Sequence, residues 1–286
     1  MSKAEDLQTT IENALVERRN PLAENLPGDF NARRTALQVL LDRQPGIVIE
    51  RQYPQVIRML QEFGLLGIRQ PEGARLLTPA AVKESFSVEQ LKLAVSPAFQ
   101  HPTFLVVPPV DFSHLINAIN NHRLPNQNTT LLDENLKNDE GARATHGWTP
   151  VILEGARGAR IGSELSGGPA AQENLVEFVG RVQRARHATS EHLCGIDRRM
   201  YAMLMMISMM EAQNPSQLID TRTSTILDAD PALVLQPEIP HGIPIGKYWR
   251  EGNQARFSMY DAMGIGEDFP PGGHWMRHAV IGQTIE

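Results

Sequence analysis

His274 and His278, four positions apart in His274-Trp275-Met276-Arg277-His278, are the pair best suited to hold a metal ion. Residues at i and i+4 share one face of a helix and one face of a strand, so both imidazoles could meet one ion. A metal centre needs three or four convergent ligands. Asp261 is the candidate third, with His241, Glu267 and Asp268 as alternatives. Such a set suits a metal-assisted hydrolase, in which a divalent ion activates water. The plainer reading makes both histidines ordinary residues of a C-terminal strand, His278 hydrogen-bonded there.

A second cluster is His187, Glu191, His192 and Cys194. A cysteine nucleophile needs a base within hydrogen-bond reach, but two residues of separation do not bring Cys194 onto His192. The alternative is a small buried hydrophobe beside a methionine-rich helix. A third candidate is the loop Gly162 to Gly168 before Pro169, with Gly167 beside Gly168. Its backbone N–H groups could receive an anion or a nucleotide phosphate, helped by Arg157 and Arg160 and opposed by Glu164; a surface loop is the plainer reading. Arg181, Arg184, Arg186 and His187 close a helix, and Arg198 and Arg199 follow. The helix dipole accounts for the first group, and no interleaved aromatics mark a nucleic-acid face.

Other chemistries lack their signatures. The sequence has no G-x-x-x-x-G-K-S/T loop, no G-x-G-x-x-G after a strand, no H-E-x-x-H, no EF-hand loop and no G-x-S-x-G elbow. A net charge of −6 argues against a mainly electrostatic nucleic-acid binder. The 27 cationic residues are mostly arginine, and GC-rich coding is a better account of that bias than anion binding. One cysteine rules out an internal disulfide and a multi-cysteine zinc site. No apolar run approaches membrane-spanning length, and the N-terminus lacks a secretory apolar segment. A cytoplasmic, non-membrane protein is expected.

The elements that must carry these residues begin with helices. Ser2-Lys3-Ala4-Glu5 is a capping box, and Leu7, Ile11 and Leu15 mark a helical face ending near Asn20-Pro21. A second helix is expected from Asp29 or Asn31 to about Arg43. Ile47-Val48-Ile49 reads as a β-type run, with a third helix from Pro54 to Phe63 capped by Gly64. Thr78-Pro79 and Ser87-Val88-Glu89-Gln90 start two more. Thr103 to Val107 reads as a buried strand, and Asp111 opens a helix through Leu115, Ile116 and Ile119. Pro125 to Thr129 is loop. Trp148 to Leu153 is a second strand, at an edge or beginning at its proline; strand, helix, loop and strand together are compatible with a βαβ unit. Pro169 opens a helix with Leu175, Phe178, Val179 and Val182 inward. Asp197 caps another, whose methionines make it apolar nearly all round and hence central to the core. From Thr221 onward, period-two segments at Arg256 to Tyr260 and Trp275 to Ile281 predict short antiparallel strands.

Gly195 to Met206, Thr225 to Asp228, Gly147-Trp148 and Glu154-Gly155 resemble a set of uncharacterised bacterial proteins from candidate phyla. That resemblance implies a helical N-terminal half before a short C-terminal β-region, and no activity. The expected fold is therefore α+β: a helical region over 1–100, a central α/β region over 101–215 and a small antiparallel β-rich region over 216–286, either as separate regions or as one continuous domain. The leading functional expectation is a non-catalytic structural or protein-interaction protein that self-associates or binds a protein partner, without a required cofactor. The metal-assisted hydrolase and the anion or nucleotide-phosphate binder follow.

Overall fold

Helix α1, Ile47–Glu62, is the first described element in a computed structural model that describes residues 46–67, 77–136, 146–157, 164–165, 175–212, 217–221, 224–227, 243–260 and 274–286. The expected helices before Arg43 lie outside the described residues. The β-type reading of Ile47-Val48-Ile49 is corrected. Val48 and Ile49 fall on the same buried stripe as Val56, Met59 and Leu60, so helical packing overrides their β propensity. Pro54 lies inside α1 and not at its start. Gly64 closes the helix as expected: its φ of 68° lets Leu65 N–H reach the Leu60 carbonyl at 2.7 Å and Gly64 N–H reach Gln61 at 3.0 Å.

Local capping chemistry places the next helices. In α2, Pro79–Glu84, Thr78 Oγ1 accepts from Ala81 N–H at 3.2 Å and Pro79 takes the first position. Before α3, Val88–Ala94, Ser87 Oγ accepts from Gln90 N–H at 3.1 Å while Gln90 Oε1 accepts from Ser87 N–H at 2.9 Å. Strand β1, Pro102–Val107, leads to α4, Phe112–Asn121, with Asp111 at its N-cap. There the Asp111 main-chain carbonyl, and not its carboxylate, takes the first helical N–H groups.

The chain continues through β2, Leu131–Leu132; β3, Thr149–Glu154; α5, Leu175–Thr189; β4, Cys194–Gly195; and α6, Arg198–Glu211. It ends with β5, Ser224–Ile226; β6, Ile243–Trp249; β7, Gln254–Tyr260; β8, His274–Met276; and β9, His278–Ile281. One sheet has the order β1-β3-β9-β4 and is antiparallel throughout. The pairing Phe104↔Ile152 makes β1 and β3 antiparallel, so the central section is not a βαβ unit. Pro150 stands at the start of β3, an interior strand. The other sheet has the order β2-β7-β6-β5-β8. It is mixed: β6 pairs antiparallel with β5 and β7, while β5–β8 and β2–β7 are parallel. The C-terminal strands are thus not uniformly antiparallel, and β9 lies between β3 and β4 in the sheet of the central region.

This α+β arrangement is organised around α6. Asp197 Oδ1 accepts from Met200 N–H at 2.8 Å and starts it. Residues 200 to 209 are then buried without interruption, as the methionine pattern predicts. At roughly 1.5–3 kcal/mol for each fully buried large apolar side chain, this helix is a principal source of hydrophobic stabilisation. It packs on α1, α4, β1 and β6. On β6, Gly246 permits the approach: a Cβ there would stand 2.3 Å from Tyr201 Cε1. Among the described residues no helix is long and apolar enough to cross a membrane.

Candidate functional site

The strongest polar cluster lies where the two sheets meet. Only Arg277 separates β8 from β9, so the chain passes from one sheet to the other in a single residue. Its side chain is fully buried beside Asp220, which precedes β5 with a φ of 49°; Asp enters this left-handed region more readily than most residues. Arg277 Nη2 donates to Asp220 Oδ1 at 3.1 Å. Trp275 Nε1 donates to the same oxygen at 2.9 Å. Oδ2 accepts from Tyr201 Oη at 2.9 Å and from Thr225 Oγ1 at 2.6 Å. Arg277 Nε donates to Thr225 Oγ1 at 3.0 Å, and Nη1 donates to the carbonyls of Glu154 and Ala156 at 2.8 and 2.6 Å. The guanidinium carbon lies 3.9 Å from the Trp275 ring centre.

A charge pair without water must have its remaining lone pairs and protons hydrogen-bonded, or burial costs more than the attraction returns. Here each carboxylate oxygen has two donors, and each nitrogen of the guanidinium has an acceptor. Burial, followed by the Asp220 charge, pushes the Tyr201 phenol well above its ordinary value and keeps it a donor. The cluster joins α6, β5, the end of β3 and the β8–β9 crossing.

Neighbouring charged groups are engaged in the same way. Buried Glu154 accepts from the N–H groups of Gln100 at 2.8 Å, Ala156 at 3.0 Å and His101 at 3.2 Å. Arg186, also buried, donates to the carbonyls of Leu165 at 3.0 Å and Arg277 at 2.9 Å. Burial pushes its guanidinium down to about 10.

The candidate metal residues do not share a strand. His274 begins β8 opposite Ser224, whereas His278 begins β9 opposite Gly195 in the other sheet. The His278 ring is fully buried and meets Phe99 edge-on at 4.5 Å between ring centres. Burial, with Arg186 next in weight, pushes it down to about 3, so the imidazole is neutral. The Ala98 and Leu165 backbone favours its charged form, yet neither ring nitrogen attains hydrogen-bond geometry. Asp261, His241, Glu267 and Asp268 lie outside the described residues, as do Arg160, Gly162, Gly167 and Gly168. Among the described residues no three His, Cys, Asp or Glu side chains group as metal ligands.

Cys194 is half-buried, and its thiol donates to the Ala279 carbonyl at 3.4 Å. Burial pushes it up to about 11 although Arg186 pulls the other way. That is the environment of an unreactive thiol. His187 is exposed at the end of α5. The arginine cluster divides: Arg186 turns inward, and Arg198 is buried, donating to the Leu136 carbonyl at 3.1 Å.

Arg157 has a different setting. It stands exposed beside a cavity of about 130 Å³ between α1, β1 and α6. Phe104, Leu204, Ile207 and Ile219 supply apolar lining, and Gln55 and Glu211 supply polar groups beside Arg157. Gln55 Nε2 donates to Glu211 Oε1 at 2.7 Å. Gln52 fixes one wall: its Nε2 donates to the Pro102 carbonyl at 2.9 Å and its Oε1 accepts from Phe104 N–H at 2.6 Å, covering the outer edge of β1. The Arg157 carbonyl anchors this corner, accepting from Asp220 N–H at 2.9 Å. Sequence reasoning singled out Arg157 but not Gln55 or Glu211, which lie 156 positions apart and share no local motif.

No family model, curated protein or solved structure matches the chain.

Proposed function

We propose that the protein is non-catalytic and works by binding, as a structural or protein-interaction protein. The observation that supports this reading is the commitment of its buried charges. Asp220, Arg277, Glu154 and Arg186 direct their polar atoms to their own chain, whereas a general acid or base must reach a substrate proton. The metal-assisted hydrolase through His274, His278 and Asp261 gains no support from an enclosed, neutral His278. A half-buried, unreactive thiol fits a reducing compartment such as the cytoplasm. Light scattering on the full chain tests the reading, together with cross-linking in its native extract. We expect a defined oligomer or a stoichiometric protein partner; a strict monomer that captures nothing would count against it.

A second reading, binding of a small anion, is favoured by Arg157. Among the described residues nothing pairs with its guanidinium at the cavity. The cavity is too small for a nucleotide, since sites for larger ligands span roughly 300–1,000 Å³. Acetate should raise the melting temperature, and Arg157→Ala should remove the shift.

A further inference from the structure

We infer that the cavity beside Arg157 binds a small apolar α-amino acid as its zwitterion. This rests on the anion-binding reading and adds the ligand's second charge and its side chain. Size sets the first limit: about 130 Å³ compares with the roughly 150 Å³ cavity that admits one benzene molecule. A side chain of three or four carbons fills such a space while the charged end remains at the mouth.

Lining chemistry sets the second limit. Phe104, Leu204, Ile207 and Ile219 line the cavity without charge, and the uncharged polar residues Gln52, Thr103 and Ser208 stand among them. Among the described residues, the two charged ones at the cavity, Arg157 and Glu211, are opposite in sign and both exposed. A guanidinium suits a carboxylate. Gln55 occupies Glu211 Oε1, and among the described residues nothing engages Oε2, which suits an ammonium. A phosphate would be repelled by Glu211, a simple amine by Arg157, and an uncharged ligand would use neither. A zwitterion uses both.

Calorimetric titration of the full chain with L-valine tests this, with isobutyrate and isobutylamine as ligands carrying one charge each. L-valine should bind saturably, and each single-charge ligand about tenfold more weakly. Arg157→Gln and Glu211→Gln should each weaken L-valine about tenfold. Arg157→Gln should strengthen isobutylamine and Glu211→Gln should strengthen isobutyrate, because each variant removes a like charge. Both side chains are exposed, so an unchanged melting temperature will confirm that the variants fold. If isobutyrate binds as tightly as L-valine and Glu211→Gln has no effect, the zwitterion is overturned and the anion reading stands. If neither ligand binds, or neither variant matters, both fall.

Discussion

Arg277 bonds to main-chain carbonyls at the end of β3 and to side chains within and just before β5, so its removal acts on both sheets. Arg277→Met keeps much of the apolar volume but leaves the Asp220 carboxylate buried without its cation. Breaking a buried pair from one side costs about 3–5 kcal/mol, and urea unfolding should show a loss of that size. Asp220→Asn is the matching variant, because Asn also tolerates a positive φ. The double variant should lose less than the two single losses summed, since neither residue then strands a charge; full additivity would deny that the pair is coupled. Little of this was legible in the sequence. Asp220 and Arg277 are 57 positions apart, and no spacing announces their pairing. Histidine draws attention because of its metal chemistry, so Arg277 appeared only as a residue between two histidines. Arg157 was legible as a basic residue beside a glycine-rich stretch, but the cavity it borders depends on three elements distant in sequence.

At the scale of elements, what depends on neighbouring residues was readable and what depends on pairing was not. The Thr78 and Ser87 caps, the Gly64 terminus and the enclosed methionine helix follow from interactions within a few positions. Ser87→Ala, which removes one half of the capping box, should cost about 1 kcal/mol in chemical unfolding. Strand direction is set by contacts far along the chain, which is why β1 and β3 being antiparallel could not be read from their sequences. Helix α1 is the instructive failure. Ile47 to Ile49 is β-branched and Pro54 is a good helix start, yet one helix runs through both, held by the buried stripe Val48, Ile49, Val56, Met59 and Leu60. Pro54 remains inside the helix, exposed, without an N–H for the Glu50 carbonyl. Pro54→Ala restores that donor and should raise stability by about 2 kcal/mol, after allowing for the more flexible unfolded chain. A lower melting temperature in this variant would mean that α1 depends on the proline's geometry.

The whole molecule should respond to acid through His278. Its ring stands where β9 meets β4, with Arg186 and Arg277 as the cations acting on it, Phe99 against its edge, and Ala98 and Leu165 backbone nearby. Burial and these cations disfavour a proton, moving the group from 6.5 down to about 3 in the folded chain. Between those values the unfolded chain binds a proton that the folded chain excludes. Stability is therefore retained above about pH 6.5 and falls as the pH approaches 3. The limiting slope is about 1.4 kcal/mol per pH unit for one proton. Carboxylates add their own acid dependence, so the informative quantity is a difference between two proteins. His278→Leu keeps an apolar group against Phe99 and removes the titration. Urea unfolding at a series of pH values should give parallel curves above pH 6.5 and a steeper acid loss for the natural chain below it. Parallel curves throughout would mean that the folded chain binds the imidazole proton as readily as the unfolded chain, and that burial and the two arginines do not disfavour it there.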